Sequence, residues 1–241
     1  SRFDGSHFDT SITAFHCRGL LRAWAMTGEG RFRDYAVAYL RAYATLGYDA
    51  EARQFWGSLT LDGKPDRAAR VRGGYGQYEP RGHIDLWQPY AAGYEHPITT
   101  AQVYAHACAV TRDPVLLEAA RRWADSIRRA FPPRACNADT WYRDYALHWA
   151  PHGAYAVHYG QTLSFLLQLH ALTGEGRHLD FAREVANEAV AKLYYRGLLR
   201  GHPAKPYYEA ADGVGYLLVA LIQLHEVLAG RGAQRVPVEN W

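Results

Sequence analysis

Apolar positions recur along this chain at a helical spacing, and the helices they predict come in pairs. Val103, Ala107 and Val110 share one face of a first helix. After a short turn, Leu116, Ala119, Ala120 and Trp123 form one stripe of a second helix, with Arg121, Arg122 and Arg128 on its other side. The scheme returns with Leu163, Leu166, Leu167 and Leu169, followed by Phe181, Val185, Ala189 and Leu193. First helices are nearly all-apolar and so are expected to be buried on most sides, whereas second helices have one buried face.

Three turns of related sequence join the pairs: Ala25-Met26-Thr27-Gly28-Glu29-Gly30, Ala109-Val110-Thr111-Arg112-Asp113-Pro114 and Ala171-Leu172-Thr173-Gly174-Glu175-Gly176. Self-similarity at long period marks a stacked helical repeat. Gly28 and Gly174 suit a helix C-terminus, where glycine reaches left-handed dihedrals freely. Pro114 suits a helix start, where no amide donor is needed. A further apolar helix, Val214 to Leu228, follows Glu209-Ala210-Ala211-Asp212-Gly213 and has no partner after it.

Three hairpins plus one inner helix predict an all-α fold, an incomplete α/α toroid of antiparallel hairpins, as a single domain over residues 1–241. The connections at Asp49 to Gly93, Phe131 to Ala154 and Arg196 to Tyr208 are too long to be simple turns, and loops of that length are functional or disordered. Their aromatics, among them Trp56, Trp87, Trp141, Tyr207 and Tyr208, argue against disorder and for a lining at one mouth of the barrel.

Composition narrows the partners. A chain of 241 residues, 49% hydrophobic, buries one large core. A formal charge of +3 without a lysine-rich run does not point to nucleic acid, and no stretch is long and apolar enough to span a bilayer. Three cysteines make no disulfide framework, and no Cys-x-x-Cys or His-Glu-x-x-His spacing marks a metal site.

The chemistry lies in the segments that lead into the inner helices: His7-Phe8-Asp9-Thr10-Ser11, Tyr94-Glu95-His96-Pro97, His158-Tyr159-Gly160-Gln161 and Tyr207-Tyr208-Glu209-Ala210-Ala211-Asp212. In a toroid these positions converge on one funnel floor. His158, Tyr159, Glu95, His96, Glu209 and Asp212 are therefore the catalytic candidates. Arg81, Arg143, His83, Trp56, Trp87, Trp141 and Tyr208 are the substrate-binding candidates, combining flat apolar faces with polar rims. Blander roles compete: Asp9, Thr10 and Asp212 also suit helix N-caps, and His16, His106 and His170 lie within helical runs as packed or surface groups.

The Thr-Gly-Glu turns, together with Gly82-His83-Ile84-Asp85-Leu86-Trp87-Gln88-Pro89-Tyr90 and Gly201-His202-Pro203-Ala204-Lys205-Pro206-Tyr207-Tyr208-Glu209, make the chain resemble the six-hairpin carbohydrate-active enzymes. That group includes polysaccharide lyases, unsaturated glycuronyl hydrolases and sugar epimerases. The resemblance implies an anionic, uronate-containing polysaccharide or oligosaccharide as substrate.

In a lyase, His158 or Tyr159 would remove the proton beside a neutralised uronate carboxylate and a tyrosine would protonate the leaving oxygen. Calcium would be an optional aid to that neutralisation. In a hydrolase, two carboxylates among Glu95, Glu209 and Asp212 would act, roughly 5 Å apart for retention and about 6.5–9.5 Å for inversion. An epimerase would need two bases, such as His96 and His158, and a non-catalytic glycan-binding toroid is the fourth reading. Complete toroids of this group carry more helices than the seven read here, so an amino-terminal portion or another copy of the chain is expected to complete the ring.

Overall fold

The computed structural model describes residues 7–9, 12–67, 82–84, 86–87, 97–133, 153–208 and 210–231. Within these, seven α-helices form: α1 (Cys17–Thr27), α2 (Gly30–Leu46), α3 (Pro97–Thr111), α4 (Pro114–Arg129), α5 (Ala156–Thr173), α6 (Gly176–Leu193) and α7 (Val214–Leu228). Each pair is an antiparallel hairpin. The inner helices pack in chain order, α1 on α3, α3 on α5 and α5 on α7, while α2, α4 and α6 lie outside their hairpin partners. The described residues thus form an arc of an α/α toroid.

The hydrophobic pattern predicts this layering well for α3 to α6, but α1 and α7, expected to be buried on most sides, bury only one face, and Leu218 and Ile222 of α7 are exposed. Leu116, Ala119, Ala120 and Trp123 of α4 are all buried, as are Phe181, Val185, Ala189 and Leu193 of α6. Inner helices are less uniformly apolar than their sequences imply. Thr99, Gln102 and His106 on α3 and Gln161, Ser164 and Gln168 on α5 take the same i, i+3, i+7 positions, which share one helix face. Gln161 Nε2 donates to Thr99 Oγ1 at 3.2 Å, and Ser164 Oγ to Gln223 Oε1 of α7 at 3.2 Å. A polar seam therefore links α3, α5 and α7 through the core.

The three turns share one chemical design. Thr27, Thr111 and Thr173 each donate a hydroxyl hydrogen bond to the carbonyl four residues back, at 2.7, 2.6 and 2.8 Å. Each hydroxyl then accepts the amide two residues on, from Glu29, Asp113 and Glu175. The intervening residue is left-handed in every case: Gly28 at φ 73°, Arg112 at φ 59° and Gly174 at φ 70°. Arginine takes that conformation at roughly 1–2 kcal/mol, which glycine avoids. Asp113 also caps α4 through Val115 N at 2.9 Å, with Pro114 in the first turn as predicted.

Arginines tie α2 and α4 each to the next turn. Arg41 Nε of α2 donates to Asp113 Oδ2 at 2.7 Å, and Arg121 Nη2 of α4 to Glu175 Oε1 at 2.6 Å. Arg128 with Glu184 (2.9 Å) and Arg177 with Asp125 (3.5 Å) continue the seam between α4 and α6.

Short strands occupy part of the first long connection. β1 (His7–Asp9) pairs antiparallel with β4 (Ser58–Thr60), and β2 (Tyr48–Asp49) with β3 (Gln54–Phe55). Phe55 stacks on Trp123 of α4 at 4.1 Å and 7°, which seats the strands on the helical layer. A further hairpin, β5 (Tyr194–Tyr195) with β6 (Leu198–Leu199), extends from α6. No described helix is long and apolar enough to cross a membrane.

Candidate functional site

Gly160 and Gly213 set the geometry at the start of α5 and α7. A Cβ on Gly160 would lie 2.8 Å from the backbone of Leu217 and of Tyr216, so the two helices cross where a side chain has no room. Gly213, at φ 76°, begins α7 against Val157. These contacts bring the segments 153–159, 201–208 and 210–212 together, far apart in sequence yet adjacent at the helix N-termini.

The centre of this cluster is the Tyr155 ring. His202 packs on it at 4.6 Å, His158 meets it edge-on at 5.9 Å, and Lys205 Nζ lies 5.4 Å from its centroid. Lys205 Nζ is also 2.7 Å from Asp212 Oδ2, and both side chains are about nine-tenths buried. The amide of Ala204 donates to His202 Nδ1 at 3.1 Å. That assigns the ring proton to Nε2, which faces the carbonyl of Gly153 at 3.2 Å. His202 is thereby held between two backbone groups.

Burial decides the state of the two leading candidates. Desolvation, helped by the neighbouring His202, pushes the His158 imidazole down to about 3, so it is neutral at ordinary pH. Tyr159 is fully buried, and desolvation raises its phenol well above the usual range, against a smaller opposing effect of the Ala154 amide. It holds its proton. Asp212 does not cap α7, whose N-cap residue is Gly213; its carboxylate is given to Lys205 instead.

Two of the tryptophans predicted as a sugar platform, Trp56 and Trp87, are enclosed. Trp56 is 8% exposed, with His83 stacked on it at 3.9 Å and the Arg67 guanidinium 4.7 Å from its centroid. His83 Nε2 also lies 3.0 Å from Asp49 Oδ2, and the amide of Ala52 with that imidazole holds the Asp49 carboxyl below the usual range. Trp87 is 4% exposed and packs 5.8 Å from Tyr159 and 6.0 Å from Phe131. It thus connects the His83 segment to the start of α5. Tyr208 is exposed, with its hydroxyl donating to the Tyr195 carbonyl at 2.5 Å.

Glu95, His96, Glu209, Arg81, Trp141 and Arg143 lie outside the described residues. Of the remaining candidates, His158, Tyr159 and Asp212 fall in one neighbourhood, Trp56 and His83 in a second, and Trp87 between them. Three members of the cluster escape a reading of the sequence: Tyr155, His202 and Lys205. The signal for two of them was present in Gly201-His202-Pro203-Ala204-Lys205-Pro206, where two prolines flank a lysine that follows a histidine close to an inner-helix start. Among the described residues no three His, Cys, Asp or Glu side chains gather as a metal site.

The sequence matches no family model and no curated protein. Its fold does match solved structures. Cellobiose 2-epimerase from Spirochaeta thermophila superposes with a TM-score of 0.60 at 15% identity, over 97% of this chain and 56% of that one. Unsaturated glucuronyl hydrolase from Bacillus sp. GL1 gives 0.61 at 16% identity, over 94% and 61%. A D-mannose isomerase gives 0.58 at 14% identity, over 92% and 57%. The chain spans a little over half the length of these enzymes. All three act on carbohydrate, and the fold shared with them is the α/α toroid.

Proposed function

We propose that this chain belongs to a carbohydrate-active enzyme that works by proton transfer at a sugar carbon, with β-elimination of a uronate residue in a polysaccharide as the leading reaction. The observation that carries the reading is the cluster around Tyr155, where two imidazoles, an ammonium and a carboxylate meet at the starts of α5 and α7. His158 is neutral at physiological pH, the form that accepts a proton, and Tyr159 keeps its phenolic proton, the form that donates one to a leaving oxygen.

A base held near 3 is weak, so the sugar proton must be acidified by neutralising the adjacent carboxylate. Arg81 and Arg143 are the candidates for this task, since Lys205 is already held by Asp212. The Tyr155 ring meets His158 and the Trp87 ring packs near Tyr159. Two-carboxylate hydrolysis would fall to Glu95 and Glu209, outside the described residues, since Asp212 already holds Lys205. Epimerisation is the second reading: two of the fold neighbours are an epimerase and an isomerase of sugars, and the same neutral base would begin that reaction.

The test is incubation with a panel of uronate polysaccharides and their unsaturated oligomers while ultraviolet absorbance of the conjugated double bond is followed. A rise that disappears in H158A establishes elimination. A fall on unsaturated oligomers indicates hydrolysis. A flat trace with deuterium incorporated from heavy water into recovered sugar indicates epimerisation, and a flat trace without exchange overturns the proton-transfer reading.

A further inference from the structure

A second group of charges lies at the opposite end of the helices, among the turns. A groove of about 690 Å³ opens between the first two hairpins, lined by Trp24, Arg33, Arg41, Arg112 and Asp113. Two of its guanidiniums are already held. Arg41 is fixed by Asp113 at 2.7 Å, and Arg33 by Asp34 at 2.8 Å while lying 5.6 Å from the Trp24 centroid. Arg112 is different: its side chain makes no ion pair among the described residues.

Comparison of the three turns makes that difference informative. All share the threonine staple and the acidic residue after it, and two place glycine at the left-handed position between them. Only the turn that borders the groove places a long cationic side chain there, on a backbone that glycine would adopt without strain. The α4 N-terminus beside the groove adds no free donor, since Pro114 has no N–H and the Val115 amide is taken by Asp113. Both acids are neutralised by their own arginines, so the uncompensated charge of the groove is that of Arg112.

We infer that this groove is an oxyanion site, taking the carboxylate or phosphate of a small ligand against Arg112, with Arg33 and Trp24 forming its wall. The inference is independent of the chemistry at the mouth. Guanidinium recognises either group through paired N–H donors, so the two ligand sources share one chemistry.

The test uses the whole chain and R112G, which installs the residue found in the other two turns and so preserves the fold. Calorimetric titration with inorganic phosphate and, separately, with glucuronate is expected to show binding of at least one, weakened about tenfold or more in R112G. Binding of phosphate alone assigns a phosphate ligand, and binding of glucuronate alone a sugar carboxylate. R112G should melt no lower than the parent chain. Equal binding by the parent chain and R112G, or binding of neither ligand by the parent chain, overturns the inference.

Discussion

Lys205 and Asp212 form an ion pair of 2.7 Å within the wall between α5 and α7, with side-chain exposures of 10% and 11%. Gly201 makes room for it. A Cβ at that position would lie 2.2 Å from Asp212 Cβ and 2.3 Å from its Oδ2. The carbonyl of the same glycine accepts the Ala156 amide at 2.8 Å, so one residue seats both the ion pair and the start of α5.

Breaking this pair from one side leaves a charge in a poorly hydrated place. D212N is expected to destabilise the fold by about 3 kcal/mol, whereas the double variant K205M/D212L should recover most of that loss. Denaturant unfolding of the three proteins checks the ordering. Equal stability of D212N and the parent chain would show that water reaches the pair.

G160A tests the close crossing of α5 and α7. The new methyl meets the backbone of Tyr216 and Leu217 at 2.8 Å, and backbone cannot rotate away as a side chain can. Overpacking of this kind costs roughly 1–3 kcal/mol. G176A, at a turn glycine with no neighbour within 4 Å, should be near neutral in the same thermal melt.

Protonation of His158 couples stability to pH. The unfolded imidazole takes up its proton near 6.5, while the folded one resists until about 3. Below 6.5 the unfolded state therefore binds the extra proton, and stability falls as pH drops through that window. H158Q should remove this slope between pH 6.5 and 3, measured by urea unfolding across pH.

Glu175 gives a second, lower window. Partial burial pushes its carboxyl up, but the hydrogen bonds from Arg177 and Arg121 outweigh this and hold it at about 2. Its contribution is complete above 4.5 and is lost as pH falls toward 2. E175Q is expected to flatten acid unfolding between those values and leave the His158 window in place.

Much of the fold was legible because helical hairpins write themselves locally. The apolar period of α4 and α6, the glycines at 28 and 174 and the bounds of α7 all follow from neighbours within a few residues, and the structure agrees with each. The site was harder to read. Spacing placed His158 and Tyr159 at an inner-helix start, where they are, but did not show that both side chains point into the protein. Nor did it show that His83 and Arg67 cover Trp56, since strand pairing and long connections decide those contacts. Tyr155 and Lys205 acquire meaning only when α5 and α7 lie side by side.

Two arginine ties of the outer layer run forward, from α2 to Asp113 and from α4 to Glu175, while Arg177 of α6 reaches back to Asp125. During synthesis, the donor of each forward tie leaves the ribosome before its acceptor, and the hairpin bearing that donor can fold first. Each new turn then docks onto a guanidinium already in position. For these two forward ties, order of emergence and order of docking coincide.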